Sequence, residues 1–249
     1  EGDQQHPIMY GMNSRLERAA DGSLHENVWR ADGMYGAAIR QIVQMLSQAI
    51  PYAENERQQS VIRKLIEFYE TGNLAVFDAY TILWVEETEG EVDFTNGFTE
   101  VYGDPLGLKA SWEGYVNYTD HQATRRAQAL SRNAQWFEDH SPVDARFKKP
   151  LCRGVSAKVI NAAILGGDLY PSSAIGINLP NSNWVRAEHG SKSVTIANLT
   201  HAYDEAARGN GFRNEFADST QTVSLMDRYG SVCDDLHTDL HECLGHGSG

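Results

Sequence analysis

Near its C-terminal end the chain carries His241-Glu242-Cys243-Leu244-Gly245-His246, two imidazoles and a carboxylate within six residues. Neutral imidazole is a usual ligand of catalytic zinc, which keeps one position open for water. Metal binding lowers the pKa of that water to about 7, and a neighbouring carboxylate can take its proton and hand it to a leaving amine. The common form of this device, H-E-x-x-H, sets its histidines four residues apart on one helical face. Here the spacing is five. On a regular α-helix that separates the two side chains by roughly 140°, too far to share a metal. The helix must therefore widen by one residue, as in a π-bulge, or end and turn at Gly245. A competing pair, His237 and His241, has the ordinary spacing, but no Glu follows its first histidine. In that reading His246 is a bystander.

Two further segments hold polar groups at suggestive spacing. Glu100 and Tyr102 alternate with Val101, so a strand would project both from one face, a carboxylate and a phenol suited to an amine and a carbonyl. The alternative is a solvent-facing strand side. In Ala174 to Leu179, Ile175, Ile177 and Leu179 share a face and leave Asn178 on the other. Pro180 cannot donate to a ladder, so this strand lies at an edge or ends there, and an open edge suits an added peptide strand. Asn beside a turn is also a common turn former. The glycine-rich end, Gly245 to Gly249, follows a helix instead of preceding one and lacks the nucleophile-elbow spacing, which sets aside a phosphate loop and a serine hydrolase.

The elements that would position these groups read as helices, then a sheet-containing middle, then helices. Residues 1–90 form a helical segment: Ile39, Ile42, Val43, Leu46 and Ile50 recur at helical spacing until Pro51, Val61 to Tyr69 repeat it with Gly72 as C-cap, and Leu74 to Val85 form a third run. Residues 91–200 form a β-containing, substrate-binding region. Val92 to Tyr102 reads as a hairpin turning at Asn96-Gly97. Trp112 to Tyr118, Ala174 to Leu179 and Ser193 to Leu199 read as strands, and 121–138 as a surface helix. Residues 201–249 are helical again, with Thr200 as an N-cap and Ser231 with Asp234 as a capping box for the final helix. Leu236, Leu240, Cys243 and Leu244 mark the apolar face of that helix.

Composition narrows the function classes. The 249 residues are 41% hydrophobic and 22% charged, as expected of a folded chain. A net charge of −13 argues against a general nucleic-acid binder. Cys152, Cys233 and Cys243 are too few for a disulfide framework and fit a reducing, cytoplasmic compartment. No apolar run approaches the ~20 residues of a membrane span. The chain opens on Glu1 and stops three residues after His246, which suggests a fragment of a longer protein, one that could have carried an export leader.

The six-residue motif resembles the H-E-x-x-G-H segment of the dipeptidyl peptidase III family of zinc exopeptidases, in a bacterial-type member. Glu100-Val101-Tyr102-Gly103-Asp104-Pro105 with Glu113-Gly114-Tyr115-Val116, and Gly176-Ile177-Asn178-Leu179-Pro180-Asn181, are similar to two further family segments in the same order. The resemblance implies an α+β fold: a mostly helical zinc-carrying lobe and a lobe with a small β-barrel-like sheet, a cleft between them. It implies removal of dipeptides from the N-terminus of short peptides. His241 and His246 are then zinc ligands and Glu242 the general base. Glu100 and Glu113 hold the substrate ammonium, and Tyr102 stabilises the polarised carbonyl. Gly176, Asn178 and Asn181 hold the peptide as an added strand.

The family's third zinc ligand is a glutamate in a later E-E-x-[RK]-A-D segment. Glu86-Glu87-Thr88-Glu89-Gly90 does not match it. The expectation is that these 249 residues hold zinc weakly or not at all and are inactive alone. The alternatives are a non-catalytic peptide-binding module, or another H-E-type zinc aminopeptidase or endopeptidase.

Overall fold

The computed structural model describes residues 8–152, 156–171 and 173–246. It divides into two compact units, the first Glu1–Gly114 with Gly166–Tyr170 and Ser182–His189, the second Tyr115–Leu165, Pro171–Asn181 and Gly190–Gly249.

Among the described residues of the first unit, a short hairpin, β1 (Ser14–Arg18) and β2 (Leu24–Val28), precedes the α-helices in a segment expected to be helical. Both strands are polar and largely exposed, so hydrophobic periodicity gives no sign of them. The turn is made by Asp21-Gly22, with Gly22 at φ +86°. Three helices follow as expected: α1 (Gly36–Ala49), α2 (Glu56–Thr71) and α3 (Leu74–Glu86). The Asn55 side chain caps α2 by accepting from Gln58 N. Gly72, at φ +69°, closes it with its N–H on Phe68 O at 2.7 Å. Val61, Leu65, Phe68 and Tyr69 are almost wholly buried along its inner face. Burying side chains of this size stabilises a fold by about 1.5–3 kcal/mol each.

Strand β3 (Val92–Glu100) runs straight through Asn96-Gly97, so the expected hairpin does not form there. Tertiary contacts override the turn propensity. Tyr69 Oη donates to Asn96 Oδ1 at 2.6 Å, and Trp112 Nε1 donates to Tyr69 Oη at 2.8 Å. A Cβ on Gly97 would lie 3.2 Å from the Phe77 ring, so this glycine serves close packing. Trp84 Nε1 donates to Asp93 Oδ1 at 3.0 Å and ties α3 to the start of the strand.

Strand β4 (Ser111–Thr119) lies where expected. The surface helix is two, α4 (His121–Arg132) and α5 (Ala134–His140), parted at Asn133. Strand β5 (Ser156–Gly167) has no counterpart in the sequence reading. Its Val159 and Ile160 are fully buried, but the alanine-rich stretch beyond them blurs the pattern. Then come β6 (Gly176–Leu179), α6 (Asn183–His189) and β7 (Lys192–Ile196). The five-stranded sheet has the order β3-β4-β5-β7-β6, with β7 parallel to β5 and antiparallel to β6. β6 is an end strand and stops just before Pro180, as its proline implied.

The strand expected over Ser193 to Leu199 becomes helix at Ala197, where α7 (Ala197–Ala207) begins. Thr200 is inside that helix, its hydroxyl on Ile196 O, and is not a cap. After α8 (Phe212–Phe216), α9 (Thr220–Leu240) is capped by Ser219, whose Oγ accepts from Thr222 N. Ser231 and Asp234 fall within α9, because the helix is a full 21 residues long and begins earlier than the capping box suggested. No helix among the described residues is long and apolar enough to cross a membrane.

Candidate functional site

The six-residue motif follows α9 without a break, as a π-helical turn, His241–His246. In a π turn the repeat is i→i+5, so residues five apart stack on one side. The ring centroids of His241 and His246 lie 4.6 Å apart with the planes at 90°. The potential ligand atoms of His241, Glu242 and His246 all lie within 4.8 Å of one another. Both histidines are exposed, and Glu242 is 5% exposed. His237, one turn earlier, lines a separate cavity with Tyr203, Asp204 and Asp234.

The helix sits differently from its apolar pattern. Cys243 is buried as that pattern implied, but Leu236 is exposed, and Thr238, Asp239 and Glu242 are buried instead. Cys243 packs with Ala127, Ala157 and Val159, and Leu244 lies against that cluster. Burial holds the Cys243 thiol up at about 12, so it stays protonated. Several of these polar groups have partners on β7. Ser193 Oγ on β7 donates to Glu242 O at 2.7 Å and receives Asn178 Nδ2. Asn178 stands opposite Ser193 in the β6–β7 register. Thr195 Oγ1 donates to Asp239 Oδ1 at 2.8 Å. None of Ser193, Thr195, Asp239 or Arg126 carries a sequence signal beyond being polar.

The Glu242 carboxylate rests on Gly176, where no side chain would fit. Its Oε2 is buried without a hydrogen-bond partner among the described residues. Burial pushes the carboxyl up to about 7. An orphaned acidic oxygen beside two solvent-open imidazoles suits a cation, and the two imidazole nitrogens match zinc. Gly176 and Asn178 thus stand beside this turn on β6, while Asn181 is exposed beyond Pro180.

The remaining sequence candidates gather in the first unit. β3 ends at Glu100, so Tyr102 is not on the strand with it. The Asp104 carboxylate accepts from Leu106, Leu108 and Lys109 N–H groups and bends the chain away. Tyr102 is 89% exposed. The negative charge of Glu100, then burial, then the charge of Glu113, hold its phenol above the ordinary tyrosine range. Glu113, on β4, is buried. Burial first, then the charges of Glu100 and Asp168, push it up to about 7. Asp168 was not singled out from sequence. It follows Gly167, whose φ of +62° and contact with Trp112 O admit only glycine, and its N–H bonds Trp112 O at 3.1 Å. The Gly166-Gly167-Asp168 turn was the available signal.

Peptidase family M49 matches residues 12–249, nearly the whole sequence. The chain belongs to this family. Dipeptidyl peptidase 3 of Dictyostelium discoideum is 29% identical over 220 residues, covering 87% of this chain and 30% of that protein. Dipeptidyl peptidase 3 of Mus musculus is 26% identical over 239 residues, covering 96% of this chain and 31% of that protein. The M49 chain in hand thus spans about three tenths of the length of these relatives. Among solved structures, DPP III from Caldithrix abyssi superposes with a TM-score of 0.70 at 20% identity, over 79% of this chain and 37% of that one. Dipeptidyl-peptidase III from Corallococcus sp. strain EGB gives 0.67 at 22% identity, over 78% and 36%. At these identities the likeness is one of fold, and the M49 fold seen here is α+β.

Proposed function

We propose that this M49 chain carries the metal turn of a zinc-dependent, cytoplasmic dipeptidyl peptidase that removes dipeptides from the free N-terminus of short peptides. The observation that carries the reading is the π turn, which gathers His241, His246 and Glu242 within 4.8 Å although the sequence spaces the histidines five apart. His241 and His246 would hold the zinc. Bound there, zinc would supply Lewis acidity toward water and toward a peptide carbonyl.

Glu242 acts as general base: its carboxylate takes the proton of the attacking water and returns it to the leaving amine. A buried carboxyl held near 7 suits both halves of that task at neutral pH. β6 offers its outer edge to an extended peptide, which pairs with the backbone around Gly176 and Asn178, while Asn181 marks the strand's end. In the first unit, Glu100 and Glu113 take the peptide's ammonium, and Tyr102 donates its phenol to the scissile carbonyl. A peptide ammonium beside Glu113 favours the ionised form that burial opposes.

Two imidazoles and a base make an incomplete zinc site, which ordinarily takes three protein ligands. The 249-residue polypeptide therefore binds zinc weakly and does not turn over peptide by itself. Zinc titration and dipeptidyl-naphthylamide hydrolysis on this polypeptide test both statements. Weak binding that disappears in His246→Ala, without turnover, is expected. Binding indifferent to both histidines would overturn the metal assignment, and stoichiometric zinc with turnover would overturn the inactivity.

A further inference from the structure

Asp239 lies two residues before His241 and is completely buried. A buried carboxylate is costly unless paired and fully hydrogen-bonded. Here each oxygen has its own partner on a different element. Oδ1 accepts from Thr195 Oγ1 on β7 at 2.8 Å. Oδ2 accepts from Arg126 Nε on α4 at 2.6 Å. Arg126 also reaches back one turn, its Nη1 3.2 Å from Asp235 Oδ2. The same face of β7 holds the chain again three residues on, through Ser193 Oγ and Glu242 O.

These contacts bracket the entry to the π turn. A π turn competes with ordinary α continuation, which would swing His246 roughly 140° away from His241. Fixing the backbone at 239 and 242 fixes the rotational phase with which the chain enters that turn. A fully satisfied buried polar network selects one arrangement in a way that apolar packing does not.

We propose that Asp239 is a positioning residue of the metal turn: divided between Thr195 and Arg126, it locks the phase of α9 so that His241 and His246 face each other. The benefit to zinc rests on the metal reading given above, whereas the locking itself does not. Arg126 and Thr195 are parts of the same device.

Hydrogen exchange on the whole metal-free chain tests it. In Asp239→Asn, amides of residues 241–246 should exchange on the order of tenfold to a hundredfold faster, while the β6–β7 ladder amides of Ile177 and Val194 keep parental rates. A general loss of stability would speed both sets alike. Thr195→Val, which keeps the Arg126 pair, should show the same local pattern more weakly and decides the matter if Asp239→Asn fails to fold. Parental exchange at 241–246 in folded variants, or equal acceleration at the ladder, would overturn the proposal. Zinc titration of the parent reads the metal assignment separately: with no zinc bound that assignment falls, and the exchange pattern still decides the role of Asp239.

Discussion

A Cβ on Gly176 would stand 2.3 Å from Glu242 Oε1 and 2.7 Å from Glu242 Cδ, well inside van der Waals contact. The carboxylate that follows the first histidine therefore rests on bare backbone at the sheet edge. Gly176→Ala must displace it, at a cost of about 1–3 kcal/mol as an overpacked contact. Glu242→Ala empties the space, so the double variant should be more stable than the sum of the two single losses allows. Urea unfolding of the four proteins reads this coupling. Strict additivity would mean that the two residues do not meet.

Glu113 gives stability a dependence on pH. Its carboxyl is raised from 4.5 to about 7, first by burial and then by Glu100 and Asp168. The folded state therefore keeps a proton that the unfolded chain releases above pH 4.5. Stability from this group is full below that value and falls as pH rises to about 7. The displacement corresponds to about 3 kcal/mol. Glu113→Gln should match the parent near pH 4 and exceed it near pH 8 by up to that amount, measured as unfolding free energy. The same difference at both pH values would rule out the buried charge as its source.

Ser193 is 1% exposed and joins Asn178 to the carbonyl of Glu242. Ser193→Ala leaves that carbonyl without this donor, at about 1–3 kcal/mol. For a chain of this size the midpoint of thermal unfolding should fall by about 2–10 °C. Asn178→Ala added to Ser193→Ala should cost less than it does alone, since one of its partners, Ser193, is already gone while Ser191 remains. An unchanged midpoint in Ser193→Ala would mean that the Glu242 carbonyl does not depend on this hydroxyl.

The legible parts of the fold were those governed by short-range rules. Gly72 ends α2 because a left-handed cap needs no neighbour beyond the helix it closes. The same chemistry failed at Asn96-Gly97, and the turn that does form at Asp21-Gly22 goes unread because residues 1–90 are expected to be helical. Tyr69 holds Asn96 in an extended strand, whereas Asp21 accepts from the N–H and Oγ of Ser23, bonds that close the turn. Thr200 and Ser231 likewise had suitable types for caps, but the helices containing them begin earlier, at Ala197 and Thr220.

The sequence by itself determined that two imidazoles and a carboxylate fall within six residues and that their spacing departs from ordinary helix. Two histidines five apart cannot share a metal on an α-helix, and the chain answers with a π turn. What supports that turn was decided only in three dimensions. Ser193 meets Glu242 across 49 residues, Thr195 meets Asp239 across 44, and Arg126 meets Asp239 across 113. Periodicity reports which face of an element is apolar, and it placed Leu236 inside. The actual face is set where the Asp239 carboxylate finds Thr195 on β7 and Arg126 on α4 and the Glu242 backbone carbonyl finds Ser193, so Asp239 and Glu242 are buried and Leu236 is not. Hydrogen-bond pairing at that range depends on strand register and helix phase, and neither is written in local spacing.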